Sequence, residues 1–221
     1  MKKRIALLLV LALALTSVFV GCGKADDKEK KEKFIVGFDQ DFPPMGFVGD
    51  DGEYTGFDLE LAEEVAKRLD MEFVPQPIDW GSKDSELESK TISCIWNGFT
   101  MNGREDLYTW TDAYLDNEQV FVVKADSGIK TKEDLAGKTV DVQIESSAEA
   151  ALKDMADLTA SFKKLNAVAD YNTAFMDLEQ GAVEAVAIDI GVAQYQIEKR
   201  EAGAFVMLDE KLATEQYGVG F

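Results

Sequence analysis

The sequence predicts an α/β fold with mostly parallel sheets. Beyond residue 33, short apolar runs that read as buried strands alternate with stretches whose apolar residues recur at helical spacing. That alternation is the pattern of strands joined by crossover helices. The helices also carry end signals: Ser146 stands before one periodic stretch and Gly181 directly after another. At 221 residues and 46% hydrophobic, the chain has material for one large domain or two small lobes. No internal repeat is present.

The first element is not part of the fold. Lys2, Lys3 and Arg4 precede an almost unbroken apolar run from Ile5 to Leu15, and Gly21-Cys22 follows. Basic, apolar and small-residue segments in that order make residues 1–21 an export signal. Cys22 sits where a bacterial lipobox carries its lipidated cysteine, although Phe19 stands where Leu is usual. The competing reading is an ordinary secretory signal with Cys22 incidental. Residues 22–33 alternate in charge without an apolar face and read as a solvated tether.

Order begins at Phe34–Phe38, a buried strand, followed by a loop with Pro43-Pro44 and a turn at Gly49–Gly52. Asp58 is placed to cap a helix whose apolar face is Leu61, Ala62, Val65, Ala66 and Leu69. Glu72–Val74 reads as a strand, Lys83–Lys90 as a helix poor in apolar residues, and Thr91–Trp96 as a fully buried strand. Gln119–Val123 is the next strand. Thr131–Asp134 resembles a capping box for a short helix ending near Gly137. Thr139–Val142 and Ala185–Ile188 read as strands. Helices are expected from Ser146 onward, over Thr173–Gln180 and over Gly191–Arg200. Gln216–Phe221 reads as a strand entering the body of the fold.

Composition narrows the chemistry. The chain has no histidine, which removes Ser-His and Cys-His nucleophilic pairs and the commonest zinc ligand. It has two cysteines, Cys22 on the tether and Cys94 in an apolar run, so no internal disulfide framework is expected. The net charge is −19, and the signal segment contributes only positive groups, so the remainder is more acidic still. Such a surface repels nucleic acid and anionic lipid. No metal and no cofactor are expected.

Three places stand at the C-terminal edges of predicted strands, where open α/β sheets bind ligands. The segment Trp96–Arg104 runs from a buried strand into small and polar residues and ends in one arginine, whose guanidinium can grip a carboxylate. Pairing with Glu105 or Asp106 is its competing use. Gln143–Ser147 joins a strand to a helix N-terminus that favours an anion, although Ser146 can equally serve as a cap. Asp189 follows an apolar strand and can receive a cation or cap the next helix. Together the three match the two charges of a free amino acid.

Several stretches, in order along the chain, are similar to the extracytoplasmic substrate-binding proteins of polar amino acid ABC transporters. They are Phe38–Pro44, Gly52–Leu59, Asn97–Arg104, Thr111–Tyr114, Asp134–Lys138 and Ser146–Glu149. The resemblance implies a two-lobed periplasmic binding protein-like fold with two hinge crossings. Lobe 1 then spans residues 34–115, lobe 2 spans 120–212, and 213–221 is a return hinge strand into lobe 1. It also implies an extracytoplasmic protein, held to the cell membrane by lipid alone, that delivers its ligand to a permease and is not an enzyme. By position, Arg104 holds the ligand carboxylate with Thr100 and the N–H groups at Ser146 and Ser147. Asp189 and the Gly98 carbonyl hold the ammonium, Phe42 and Trp80 sandwich the ligand, and Asp39 and Asn97 face its side chain.

Three departures from the family accompany this. The loop before Arg104 is one residue short, Glu145 stands where glycine is usual, and the family continues for a few dozen residues, which implies C-terminal truncation. A carboxylate at 145 repels a bound carboxylate unless it points to solvent. Two rival readings remain: a dehydratase of cyclic amino acid precursors on the same scaffold, with Glu145 or Asp39 as the acid, and the sensing domain of a receptor.

Overall fold

The computed structural model describes residues 31–221. The expected export signal, Cys22 and the tether up to residue 30 lie outside the described residues.

Two sheets organise the chain. The smaller is built around β1 (Lys33–Phe38). It is followed by three short strands, β2 (Asp41–Phe42), β3 (Gly46–Val48) and β4 (Tyr54–Thr55), which pair antiparallel as a separate ribbon. Helix α1 (Phe57–Arg68) leads to β5 (Glu72–Pro77), and α2 (Lys83–Glu88) leads to β6 (Cys94–Ile95). The order β5-β1-β6 is wholly parallel. Its core joins Val36, Phe38 and Cys94 to Leu59, Ala62 and Ala66 of α1. The apolar face of α1 therefore differs from expectation: Leu61 and Leu69 are exposed, and Leu59 is buried in their place.

The larger sheet begins with β7 (Leu115–Lys124), a ten-residue strand. Next come β8 (Thr139–Gln143), α3 (Ser147–Asp154), α4 (Ala156–Ser161) and β9 (Lys164–Val168). The series continues with α5 (Tyr171–Gln180), β10 (Ala185–Asp189), α6 (Ile190–Glu198), β11 (Phe205–Met207) and β12 (Ala213–Tyr217). The order is β11-β7-β10-β8-β9, with β12 also on β7. β8 is parallel to β9 and β10, whereas β7 is antiparallel to β10, β11 and β12. Two of the sequence signals act as read. The Ser146 hydroxyl accepts the Glu149 N–H at 3.1 Å as an N-cap, and Gly181 closes α5 at φ 75°.

β7 leads the chain from the smaller sheet into the larger and β12 leads it back; the parts built on the two sheets are called lobe 1 and lobe 2. β7 and β12 pair from Ala213↔Gln119 to Tyr217↔Leu115. Beyond β12 the chain enters lobe 1, where Gly220 and Ile95 exchange N–H···O bonds and Phe221 bonds Thr109.

Three local expectations are overturned. Thr91–Trp96 contains a strand of only two residues, because the Ser93 hydroxyl accepts the Ile35 N–H at 3.0 Å and so breaks the regular ladder. The capping box at Thr131 does not form. The Asp134 carboxylate instead accepts the N–H groups of Lys130 and Thr131, and only a 3₁₀ turn follows, at Glu133–Leu135. Asp58 is not a cap either. Gly56 holds the N-cap position, and Asp58 is fully buried in the first turn of α1.

Candidate ligand-binding site

A small cavity lies between the lobes at the C-terminal edges of their strands. Phe42, Trp80, Asn97, Gly98, Thr100 and Arg104 line it from lobe 1. Gln143, Ser146, Ser147 and Asp189 line it from lobe 2. The walls stand close, leaving about 10 Å³, room for about one water-sized sphere. Of the residues expected at the site, only Asp39 is off this wall. It lines a neighbouring groove of about 630 Å³ that shares Trp80 with the cavity.

Arg104 is half-buried. Its guanidinium lies 5.3 Å from the Phe99 ring centre and donates to the carbonyls of Thr100 (3.1 Å) and Glu145 (3.3 Å). It forms no ion pair with Glu105 or Asp106, so its charge remains available to a carboxylate. Nearby, Ser147 opens α3, whose first N–H groups have no partner within the helix. Glu145 has φ 55°, and its half-exposed side chain reaches Lys83 of lobe 1 at 2.9 Å. The Glu145 carboxylate thus meets the condition under which it does not repel a ligand: it is half-exposed, lies off the cavity wall and is paired with Lys83.

Asp189 occupies the N-cap position of α6 but makes no capping bond. Its carboxylate instead turns toward the hinge strands. Its Oδ1 accepts from Asn117 Nδ2 (2.8 Å), Gln119 Nε2 (2.6 Å) and the Tyr217 hydroxyl (2.6 Å). Burial, and then the charge of nearby Glu215, push its carboxyl up to about 7. The Thr100 hydroxyl donates to Glu215 at 2.9 Å, so it is engaged with the hinge and is not a free donor to a ligand.

The remaining wall is aromatic and amide. The Phe42 ring stands 5.9 Å from Tyr171 of lobe 2, and Trp80 meets Phe99 edge-on at 5.6 Å. Asn97 accepts the Asp39 N–H at 3.0 Å through Oδ1, while its buried Nδ2 has no partner. Asp39 in turn accepts Gln143 Nε2 across the cleft at 2.6 Å, and burial pushes its carboxyl up to about 6.

The comparison with known proteins decides the family. Residues 34–201 match the family model of bacterial extracellular solute-binding proteins, family 3. The chain belongs to that family. It is 29% identical over 224 residues to the L-cystine-binding protein TcyJ of Escherichia coli K12, a match covering 98% of this chain and 82% of that one. A histidine-bound ABC uptake transporter substrate-binding protein from Streptococcus pneumoniae superposes with a TM-score of 0.82 at 35% identity, over 85% of this chain and 78% of that one. The arginine-bound form of truncated ArgBP from T. maritima gives 0.77 at 33% identity, over 85% and 86%.

Within this family 3 protein, sequence reading missed the groups behind the wall. Asp58 accepts the Gly98 N–H at 2.6 Å and the Tyr114 hydroxyl at 2.9 Å, and so fixes the loop that carries Gly98. Asn117, Gln119 and Tyr217 hold Asp189 from the crossing strands, and Glu215 accepts from the first two of them. Polar residues at buried positions of β7 were the available signal, and the hydrophobic pattern alone passes over them. Gln143 was visible as the end of its strand, but its reach across the cleft was not.

Buried acids set a pH dependence of stability. Burial pushes Asp39, Asp58 and Asp141 each up to about 6. Such a carboxyl binds its proton more tightly in the folded state than in the unfolded one. Its full contribution is present below about pH 4 and is lost as pH rises through 6. Urea unfolding should therefore give a higher stability at pH 5 than at pH 7.5, by about 1 kcal/mol or more. Asp58→Asn should reduce that difference by about a third, because Asp39 and Asp141 keep their share. A midpoint equal or lower at pH 5 would contradict it.

Proposed function

We propose that this chain captures a free polar amino acid outside the cytoplasmic membrane, between its two lobes, and delivers it to the permease of an ABC transporter. The carrying observation is one cavity that joins an arginine free of any ion pair, a helix N-terminus and a buried aspartate. These groups match the carboxylate and ammonium of a zwitterion, and aromatic walls suit the rest of the molecule. Residues 34–115 and 120–212 act as the two jaws, with 213–221 as part of the hinge. In the membrane arrangement, residues 1–21 are removed as an export signal, Cys22 carries lipid, and the tether spaces the lobes from the surface.

The walls are too close to admit an amino acid, so capture requires the lobes to part and close again by hinge motion about the β7 and β12 crossings. Several contacts reach across the cleft: Lys83–Glu145, Gln143–Asp39, Asn172–Asp41 and the Phe47–Tyr195 ring pair. A ligand held by Arg104 from one lobe and Asp189 from the other adds to the closed state alone. The adjoining groove carries Asp39, Asp41, Asp79, Glu86 and Asp170 and no lysine or arginine. That field disfavours an acidic side chain and suits a cationic or neutral polar one, cystine included. Glu145 and Asp39, the acids a dehydratase reading needs, lie off the cavity wall, which favours capture over turnover.

Thermal unfolding of the purified protein with each common amino acid and cystine at millimolar concentration tests this. A ligand at one hundred times its dissociation constant adds about 2.7 kcal/mol, a rise of roughly 5–10 °C for a chain of this size. A transition that none of these compounds moves would sink the reading.

A further inference from the structure

Glu215 faces the ligand site from behind, through Thr100 and Ser147 of the cavity wall. It lies on β12, is 4% exposed, and accepts at Oε1 from Thr100 Oγ1 (2.9 Å), Ser147 Oγ (3.2 Å), Asn117 Nδ2 (2.7 Å) and Gln119 Nε2 (2.7 Å). Asn117 and Gln119 are also the donors to Asp189. One Gln119 nitrogen holds Asp189 Oδ1 at 2.6 Å and Glu215 Oε1 at 2.7 Å, so the two oxygens are at most about 5.3 Å apart. Asp189 is 3% exposed and lines the cavity.

The side chains that donate to this pair, Thr100, Ser147, Asn117, Gln119 and Tyr217, are all neutral. Tyr217 donates to Asp189 from β12. Tyr171, from α5, is fully buried and lies within the field of Asp189, Glu215 and Asp39. Tyr114 adjoins Tyr217 with ring centres 6.4 Å apart. Among the described residues, no lysine or arginine is ion-paired with either acid. Arg104 lines the same cavity but donates to the Thr100 and Glu145 carbonyls.

A carboxylate at this distance and this dry repels its neighbour, which favours a proton on Asp189. Tyrosine, amide and hydroxyl donors solvate one negative charge but supply no positive one. An arriving α-ammonium supplies it.

Resting on the amino acid-binding reading, we propose that Asp189, paired with Glu215 through shared donors on the hinge, keeps a proton in the free protein and releases it when the ligand's ammonium docks. Glu215 is then a positioning residue that makes capture depend on pH. The Asp189 O–H bond breaks, the proton passes to buffer, and the Asp189 carboxylate left behind pairs with the ammonium, which keeps its own protons. Burial, and then the Glu215 charge, push the Asp189 carboxyl up to about 7, in keeping with a proton held there near neutrality.

Calorimetric titration with L-arginine and L-glutamine tests this, since neither ligand titrates appreciably between pH 5.5 and 8. Measured at pH 6 in two buffers of different ionisation enthalpy, close to one proton should be released per ligand bound. The dissociation constant should fall about tenfold from pH 5.5 to 6.5 and level off above about pH 7.5. In Glu215→Gln, release at pH 6 should fall sharply and the pH profile should flatten. In Asp39→Asn, release should persist, and its loss there would assign the proton to Asp39 and overturn the pair. Binding without proton release in the unaltered chain, a measurement that needs no variant to fold, overturns the pair and leaves the amino acid reading intact. No binding by these two ligands, L-histidine or L-cystine at any pH overturns both.

Discussion

Replacing Arg104 by alanine is expected to weaken amino acid binding about 100-fold or more while leaving the fold intact. The guanidinium is set on the cavity wall by two backbone carbonyls and the Phe99 ring, and no carboxylate among the described residues is ion-paired with it. A ligand carboxylate enclosed there loses its solvent. Without the arginine it is left buried and unpaired, a loss of about 3–5 kcal/mol for a broken buried pair. Folding is spared because the local structure uses the Arg104 backbone: its N–H bonds Met101 and its carbonyl accepts the Trp110 indole N–H at 3.0 Å. Arg104→Lys should recover only part of the affinity, since an ammonium offers a point charge and not a two-pronged donor. Calorimetry on both variants decides it. Affinity within threefold of the parent in Arg104→Ala would remove this residue from the site.

The largest loss of stability is expected from Gly56→Ala. Gly56 holds φ 135°, a region open essentially to glycine alone. A Cβ there would lie 2.7 Å from the Met45 carbonyl carbon and 2.9 Å from the Gly46 nitrogen, with the Met45 oxygen closer still. These are backbone atoms, which cannot swing aside as a side chain can. Strain and clash together predict a loss of about 3 kcal/mol or more, or roughly 6–12 °C in Tm. The damage reaches the site, because Gly56 sets the start of α1, from which Asp58 holds the Gly98 N–H. Gly52→Ala is the matched control. It also carries positive φ, 84°, but nothing lies within 4 Å of its Cβ position, so only the backbone strain of about 1 kcal/mol applies. Equal midpoints for the two variants would contradict the clash.

Much of the framework is legible locally. The order of long strands and helices follows from apolar spacing. The ends of α3 and α5 follow from a serine and a glycine whose effects reach only three or four residues. The short ribbon β2–β4 was not legible, because strands of two or three residues hold no period. The turn at Thr131 shows a local motif losing to its neighbour: Asp134 bonds backward to two backbone N–H groups, and the capping box it resembled never forms.

By itself, the sequence determined the α/β alternation and which residues come to strand edges, and so brought Arg104, Ser147 and Asp189 to one place once the sheets formed. Spacing and chemical type suffice for that. Only the tertiary structure decided what each charge meets. Glu145 finds Lys83 across 62 residues of chain, Asp39 finds Gln143 across 104, and Asp189 shares its donors with a glutamate on the returning strand. A charge takes its meaning from burial and from partners a few ångströms away. Both are properties of the packed lobes and their hinge, which no local run of residues contains.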